Sequence, residues 1–198
     1  EKVLILASKS ITRATLLKQA GVVFTQRASN LDEAEIKKSL LAESCSTNNA
    51  AEVLAELKAK SVAQSFPDSL VLGLDTMIEA DAVWLEKPKT PADVKMQLTM
   101  LRGKTHLLVT SAVAVRNNQR LWHYTDTATL TVRSFSDSFL DSYITHTGAS
   151  VLSSVGAYHL EGLGAQLFSN INGSYFSILG VPLLPVLMFL RTQNFLET

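Results

Sequence analysis

Val3-Leu4-Ile5-Leu6-Ala7-Ser8-Lys9-Ser10-Ile11-Thr12-Arg13 is the stretch from which the rest of the chain is read. Val3 to Ala7 is an apolar strand, and Ser8 to Arg13 is a polar turn opening a helix that runs through Leu16, Leu17 and Ala20 to a stop at Gly21. A strand that enters a helix through small hydroxyl residues aims free backbone N–H groups at one point, and Arg13 adds a guanidinium there. Such a turn is an anion site in embryo, suited to phosphate. Ser10 is also a good N-cap, which by itself accounts for a serine at that position.

The 198 residues suffice for one substantial core, and the whole span 1–198 reads as a single domain, with two lobes as an option. Eighteen basic and eighteen acidic side chains cancel, so no broad basic face for nucleic acid or an anionic membrane is expected. Any polyanion bound should be small and held locally. One cysteine, Cys45, forms no internal disulfide, and no Cys/His cluster has zinc spacing, which points to a reducing cytoplasm. Ile178 to Leu190 is the most apolar run, but it carries Pro182 and Pro185 and is too short to span a bilayer. It reads as a buried turn and helix.

Along the chain, Val22 to Ala28 reads as a strand and Asn30-Leu31-Asp32-Glu33 as the start of a loop or helix. Ala51 to Ser65 reads as an amphipathic helix ended by Pro67-Asp68. Leu70 to Leu74 is a nearly unbroken apolar run, the pattern of a fully buried strand, with Asp75 and Thr76 at its exit. A hairpin arm follows through Asp81-Ala82 to Trp84. Glu86-Lys87-Pro88-Lys89 is a loop before a helix from Pro91 to Leu101, and Gly103-Lys104-Thr105-His106 turns into a strand from Leu107 to Val115. Asn117-Asn118 is a hairpin turn into a strand from Arg120 to Tyr124, and Ala128 to Arg133 is strand-like again. A helix from Ser136 to Thr145, a glycine-punctuated loop from Gly156 to Gly164 and a short strand from Ala165 to Phe168 complete the pass. Strands and helices mix without strict alternation, as in an α/β or α+β domain with a cleft.

The blocks collected on the way are Leu4 to Arg13, Leu31-Asp32-Glu33, Leu54-Ala55-Glu56-Leu57-Lys58-Ala59, Gly73-Leu74-Asp75-Thr76, Lys87-Pro88 and Gly103-Lys104-Thr105-His106. Gly156-Ala157-Tyr158-His159-Leu160-Glu161-Gly162 and Leu179-Gly180-Val181-Pro182-Leu183 complete the set. In this order and spacing, from about Val3 to Leu190, the chain resembles the Maf family, known as septum-formation inhibitors and nucleoside triphosphate pyrophosphatases. The resemblance implies a twisted mixed sheet flanked by helices, with two lobes around a nucleotide cleft, similar to the inosine triphosphate pyrophosphatase fold. It also implies metal-dependent cleavage of a nucleoside triphosphate to the monophosphate and pyrophosphate. The family pattern at the first turn is Ser-x-Ser-Pro-Arg-Arg. Here Ile11 replaces the proline and Thr12 the first arginine, leaving Arg13 as that turn's single guanidinium and removing a preset φ.

That chemistry needs charge neutralisation on the triphosphate, a positioned water, and a base or metal to activate it. Ser8, Ser10 and the helix N-terminus are expected to hold phosphate oxygens, with Thr12 and Thr76 beside them and Arg13, Lys58 and Lys87 as the surrounding cations. Asp75 is expected to be the catalytic carboxylate, as general base or metal ligand. Glu33 would complete a magnesium or manganese site, with Asp32 a second candidate for that place. Lys58 lies on what reads as the polar side of its helix, where a solvated lysine is the ordinary expectation; only the register of the resemblance selects it. Lys104 and His106 read as turn and strand-edge residues. His123, His146 and His159 read as surface or hydrogen-bonded groups.

Glu161 bears on the base. The subgroup acting on thymidine and uridine triphosphates carries glutamine at the matching position and arginine at that of Thr12. A glutamine amide matches the O4 and N3–H of those bases. A carboxylate only accepts, matching the N1–H and N2–H₂ donors of guanine, as in the subgroup acting on 7-methyl-GTP. Capping of the Gly162 to Gly164 loop is the plain alternative for Glu161. The expected partner is thus a modified purine nucleoside triphosphate. Trp122, Tyr124 and Phe135 fit either a homodimer surface or the core. A non-catalytic nucleotide-binding regulator of cell division stands as the alternative function.

Overall fold

A computed structural model describes residues 2–198. The strands are β1 (Leu4–Ala7), β2 (Thr25–Gln26), β3 (Leu70–Ala80), β4 (Val83–Trp84), β5 (Thr105–Arg116), β6 (Gln119–Val132) and β7 (Phe168–Asn172). The helices are α1 (Ile11–Gln19), α2 (Glu33–Ala42), α3 (Thr47–Ala63), α4 (Pro91–Leu101), α5 (Asp137–Thr147), α6 (Tyr175–Ile178) and α7 (Leu183–Thr192). The strands form one mixed sheet in the order β2-β1-β3-β5-β6-β7, with β4 added beside β3. β1 is parallel to β2 and β3, whereas β4 and β7 pair antiparallel.

The chain divides into two compact units, and β3, β5 and β6 each run from one into the other. The first comprises residues 1–76, 109–126 and 175–198, and the second comprises 77–108 and 127–174.

In the first unit the period-two alternation of the strands sorts side chains onto two faces. Leu4 and Leu6 of β1, Leu70, Leu72 and Leu74 of β3, and Ala112 and Ala114 of β5 pack with Leu17 of α1 and Val186 and Leu190 of α7. Ile5, Ala7, Val71, Val113 and Val115 point the other way and pack against Ala55, Ala59 and Val62 of α3. Both faces are covered, which is why the strands read as continuous apolar runs. Trp122 stacks on Phe189 with ring centroids 4.8 Å apart, so its packing belongs to this core.

In the second unit α4 spans the residues read as a helix from sequence, Pro91 to Leu101, and starts at a capping box of Thr90 and Asp93 with Pro91 in its first turn. Tyr143 of α5 donates its hydroxyl to the Ala157 carbonyl at 3.0 Å, and Phe135 is buried. His106 is buried against Tyr158 and Phe168, its Nε2 2.9 Å from the Tyr158 hydroxyl. This corrects the strand-edge expectation for His106.

Several boundaries differ from the sequence reading, each for a local reason. β3 does not end at Leu74; it continues to Ala80, so Asp75 and Thr76 stand in mid-strand. The strand expected over 22–28 shrinks to Thr25–Gln26 at the sheet edge. The two strands expected over 120–133 are one, β6, because Thr125, Asp126 and Thr127 continue the ladder despite their polarity. Asn117 and Asn118 both adopt left-handed φ, 51° and 58°, as a two-residue hairpin turn requires. Ala165 is in a 3-10 turn, and the strand starts only at Phe168.

Candidate functional site

β1 ends at Ala7, level with Gly73 of its parallel neighbour β3. β3 runs on, so Asp75 and Thr76 lie just past the point where the chain leaves β1 for the turn Ser8-Lys9-Ser10. The carboxyl end of parallel strands is where α/β sheets place ligands.

The turn is braced from several sides. Ser10 caps α1, its Oγ accepting from the Arg13 backbone N–H at 3.2 Å, and Ser8 Oγ accepts from the Ser10 N–H at 3.2 Å. Gln26 of β2 donates its side-chain amide to the Ser8 carbonyl at 2.8 Å and the Ser10 carbonyl at 3.3 Å. Ser10 is therefore used as the capping reading expected, and Ser8 braces the turn as well, while the helix N-terminus they organise keeps its anion-attracting field. Thr12 lies half-buried in the first turn of α1. Ile11, standing where the family pattern has proline, is 83% exposed.

The half-buried Arg13 side chain is held as a fork. Its Nε donates to the Gly180 carbonyl at 3.0 Å, Nη1 to Ser8 Oγ at 3.4 Å and Nη2 to Thr76 Oγ1 at 3.0 Å. One N–H on each terminal nitrogen remains uncommitted among the described residues. Burial pushes the guanidinium below its ordinary pKa, and the charges of Asp75 and Glu33 oppose that shift. Gly180 has φ +111°, and a Cβ there would stand 2.9 Å from Arg13 Nε, so this approach needs glycine.

Odd-numbered residues of β3 face α3, which sets the second half of the site. Asp75 is 3% exposed and Lys58 is 7% exposed. Lys58 Nζ lies 2.6 Å from Asp75 Oδ1, 2.9 Å from Glu33 Oε1 and 3.4 Å from the Leu74 carbonyl. Lys58 thus belongs to the buried face of α3, not to a solvated one. Its neighbours one turn away, Leu54 and Val62, are core residues, and that i±4 placement was the sequence signal for burial. Gly73 permits the close approach, since a Cβ there would collide with the Ala55 carbonyl oxygen and reach 3.0 Å from the Ala59 methyl.

Ser8, Ser10, Arg13, Glu33, Lys58, Asp75 and Thr76 therefore lie together in the first unit. Asp32, the second candidate beside Glu33, is the N-cap of α2, its Oδ1 accepting from the Glu35 N–H at 3.1 Å. Lys87 and Glu161 belong to the second unit. Lys87 is exposed in the loop before α4, where Gln97 Nε2 holds the Glu86 carbonyl at 2.6 Å. Glu161 is exposed, with Oε1 3.5 Å from His159 Nδ1. His146 and His159 bond backbone carbonyls, and His123 lies 3.8 Å from Glu52, as expected of them. Gln26, Gly73, Thr110 and Gly180 support the site without having been singled out individually from sequence.

Among the described residues no three acids or histidines gather as a ready metal cage. Asp75 Oδ2 is nonetheless buried without a hydrogen-bond partner. Together with Glu33 it would supply the one or two carboxylates that a magnesium ion takes when phosphate oxygens fill its other positions.

Sheet, turn and the Glu33–Lys58–Asp75 cluster define an α/β protein whose candidate site lies at the carboxyl end of its parallel strands. The chain belongs to the Maf family: residues 3–193 match the sequence model described as Maf-like protein. It is 48% identical to a nucleoside triphosphate pyrophosphatase of Paramagnetospirillum magneticum, over 96% of this chain and 97% of that one. It is 47% identical to another of that name from Rhodospirillum rubrum, over 97% and 95% respectively. A 7-methyl-GTP pyrophosphatase of Rhizobium meliloti is 44% identical, over 95% of this chain and 94% of its own.

Proposed function

We propose that this protein is a nucleoside triphosphate pyrophosphatase that hydrolyses the α,β phosphoanhydride of a modified nucleotide, 7-methyl-GTP or a related purine, releasing the monophosphate and pyrophosphate. The names carried by its relatives support the reaction. The observation that carries it at residue level is the Glu33–Lys58–Asp75 cluster beside the Arg13 fork.

Arg13 and the N-terminus of α1 bind phosphate oxygens, the guanidinium offering its two uncommitted N–H groups. Lys58 holds Asp75 by one carboxylate oxygen, Nζ standing 2.6 Å from Oδ1, and so fixes the carboxylate's orientation inside the protein. The other oxygen, Oδ2, is left either to accept the proton of the attacking water as general base or to act as a metal ligand. A divalent cation, magnesium or manganese, held by Asp75 and Glu33 would neutralise developing phosphate charge. Lys87 adds a second cation for the triphosphate, and Glu161 reads the purine edge through its acceptor-only carboxylate. The Cys45 thiol is pushed above its ordinary pKa by partial burial and by the Glu43 charge, and a lone free thiol suits the reducing cytoplasm in which we place the protein.

The test is pyrophosphate release from 7-methyl-GTP, GTP, dTTP, UTP and CTP with magnesium or manganese, before and after chelation. Release that is greatest for 7-methyl-GTP and abolished by chelator is expected. Tight nucleotide binding by calorimetry with no release over hours would overturn the enzyme reading in favour of a nucleotide-sensing regulator of cell division.

A further inference from the structure

Behind Arg13 runs a series of buried hydroxyls that the reaction above does not use. Thr110 stands on β5 with 0% exposure, beside Val109, Ala112 and Val113, where valine would supply the same shape with no polar atom to satisfy. Its Oγ1 lies 2.8 Å from the Ser177 carbonyl oxygen and 3.0 Å from Thr76 Oγ1. A carbonyl only accepts, so the Thr110 proton goes to Ser177, and the Thr76 hydroxyl must then donate to Thr110. The Thr76 oxygen therefore meets Arg13 Nη2 as an acceptor. Each proton of the series is assigned: guanidinium to Thr76, Thr76 to Thr110, Thr110 to the Ser177 carbonyl. The far end is fixed as well, because Ser177 Oγ donates to Asp126 Oδ2 at 2.6 Å. Two residues beyond α6, the Gly180 carbonyl takes Arg13 Nε.

We propose that Thr110 is a positioning residue for triphosphate recognition: by taking the Thr76 proton it orients the Thr76 lone pairs toward Arg13 and so fixes the plane in which the guanidinium presents its free N–H groups. The inference rests on the reading that Arg13 binds the triphosphate. Without the Thr110 oxygen, the Thr76 hydroxyl rotates freely and can turn its proton toward a group that only donates. The same bookkeeping leaves Thr76 no proton for the substrate, so its part is to hold Arg13.

The test compares Thr110→Val and Thr110→Ser, each with Arg13 intact and with Arg13→Ala. The readouts are kcat and KM for pyrophosphate release and the calorimetric Kd for inorganic tripolyphosphate. Thr110→Val is expected to raise KM and Kd about tenfold while kcat changes less than about threefold, the pattern of lost binding to a charged group. Thr110→Ser, which keeps the hydroxyl, is expected to stay within about twofold of the parent, and Thr110→Val is expected to add no further loss once Arg13 is gone. Thr76→Val cuts the same series while leaving the Thr110–Ser177 bond in place, and is expected to reproduce the loss should Thr110→Val fold poorly. Unchanged tripolyphosphate binding in both valine variants overturns the inference and leaves the pyrophosphatase reading standing. An equal loss with and without Arg13 also overturns it, since that is general loosening. A parent protein that binds no tripolyphosphate brings down the inference, whereas one that binds it but hydrolyses no nucleotide brings down the pyrophosphatase reading alone.

Discussion

Lys58 Nζ and Asp75 Oδ1 are 2.6 Å apart in the interior, one on α3 and one on β3, and the ammonium reaches Glu33 from the same position. Two groups that each cost several kcal/mol to bury alone are held by their mutual attraction. The pair is thus asymmetric with respect to loss of either member.

Lys58→Met should leave the Asp75 carboxylate buried without its counter-charge and cost about 3–5 kcal/mol in denaturant unfolding. Asp75→Asn should cost less, because Lys58 keeps Glu33, yet it should reduce pyrophosphate release by about a hundredfold or more. The double variant should recover part of the Lys58→Met loss. Strictly additive unfolding energies would show that the two groups are not coupled.

Gly73→Ala places a methyl group against the Ala55 carbonyl and Ala59. Separating α3 from β3 should cost about 1–3 kcal/mol and carry Lys58 away from Asp75, so that turnover falls further than thermal stability alone explains. A variant of unchanged melting temperature and activity would mean that the helix yields at no expense.

His106 gives the fold a pH dependence of definite sign. Burial lowers its pKa from 6.5 to about 4, so the folded protein holds it neutral while the unfolded chain protonates it throughout that window. The unfolded state then binds more protons, and stability is fully present above pH 6.5 and is lost as pH falls toward 4. At ~1.4 kcal/mol per pH unit the loss is on the order of 3 kcal/mol. His106→Gln, which keeps a hydrogen-bonding group for Tyr158, should flatten the curve between pH 7 and pH 4.5 in urea unfolding. Parallel curves for variant and parent would remove His106 as the source.

Glu161→Gln exchanges an acceptor-only side chain for one with a donor and an acceptor. The ratio of kcat/KM for 7-methyl-GTP over dTTP should fall at least about tenfold, the loss from a mismatched hydrogen-bonding edge. A ratio that does not move would return Glu161 to a loop-capping role.

How much of this was legible in one dimension differs between fold and site. The strand–turn–helix at the amino terminus, α4 from Pro91 to Leu101 and the Asn117-Asn118 hairpin were readable because each is specified by neighbours a few residues apart. The extension of β3 through Asp75 was not, because a carboxylate in a strand is tolerated only when something distant neutralises it. That something is Lys58, seventeen positions earlier in the chain.

Sequence alone determined the local elements, their apolar faces and, through blocks in register, the family. Tertiary structure decided which polar residues are interior. Lys58 lies buried because Gly73 lets α3 approach β3, and Thr110 is a polar residue in the core because Thr76 and Ser177 satisfy its hydroxyl. The physical reason is the same in both cases: burying a polar group is favourable only when its partner arrives, and those partners come from other strands and helices.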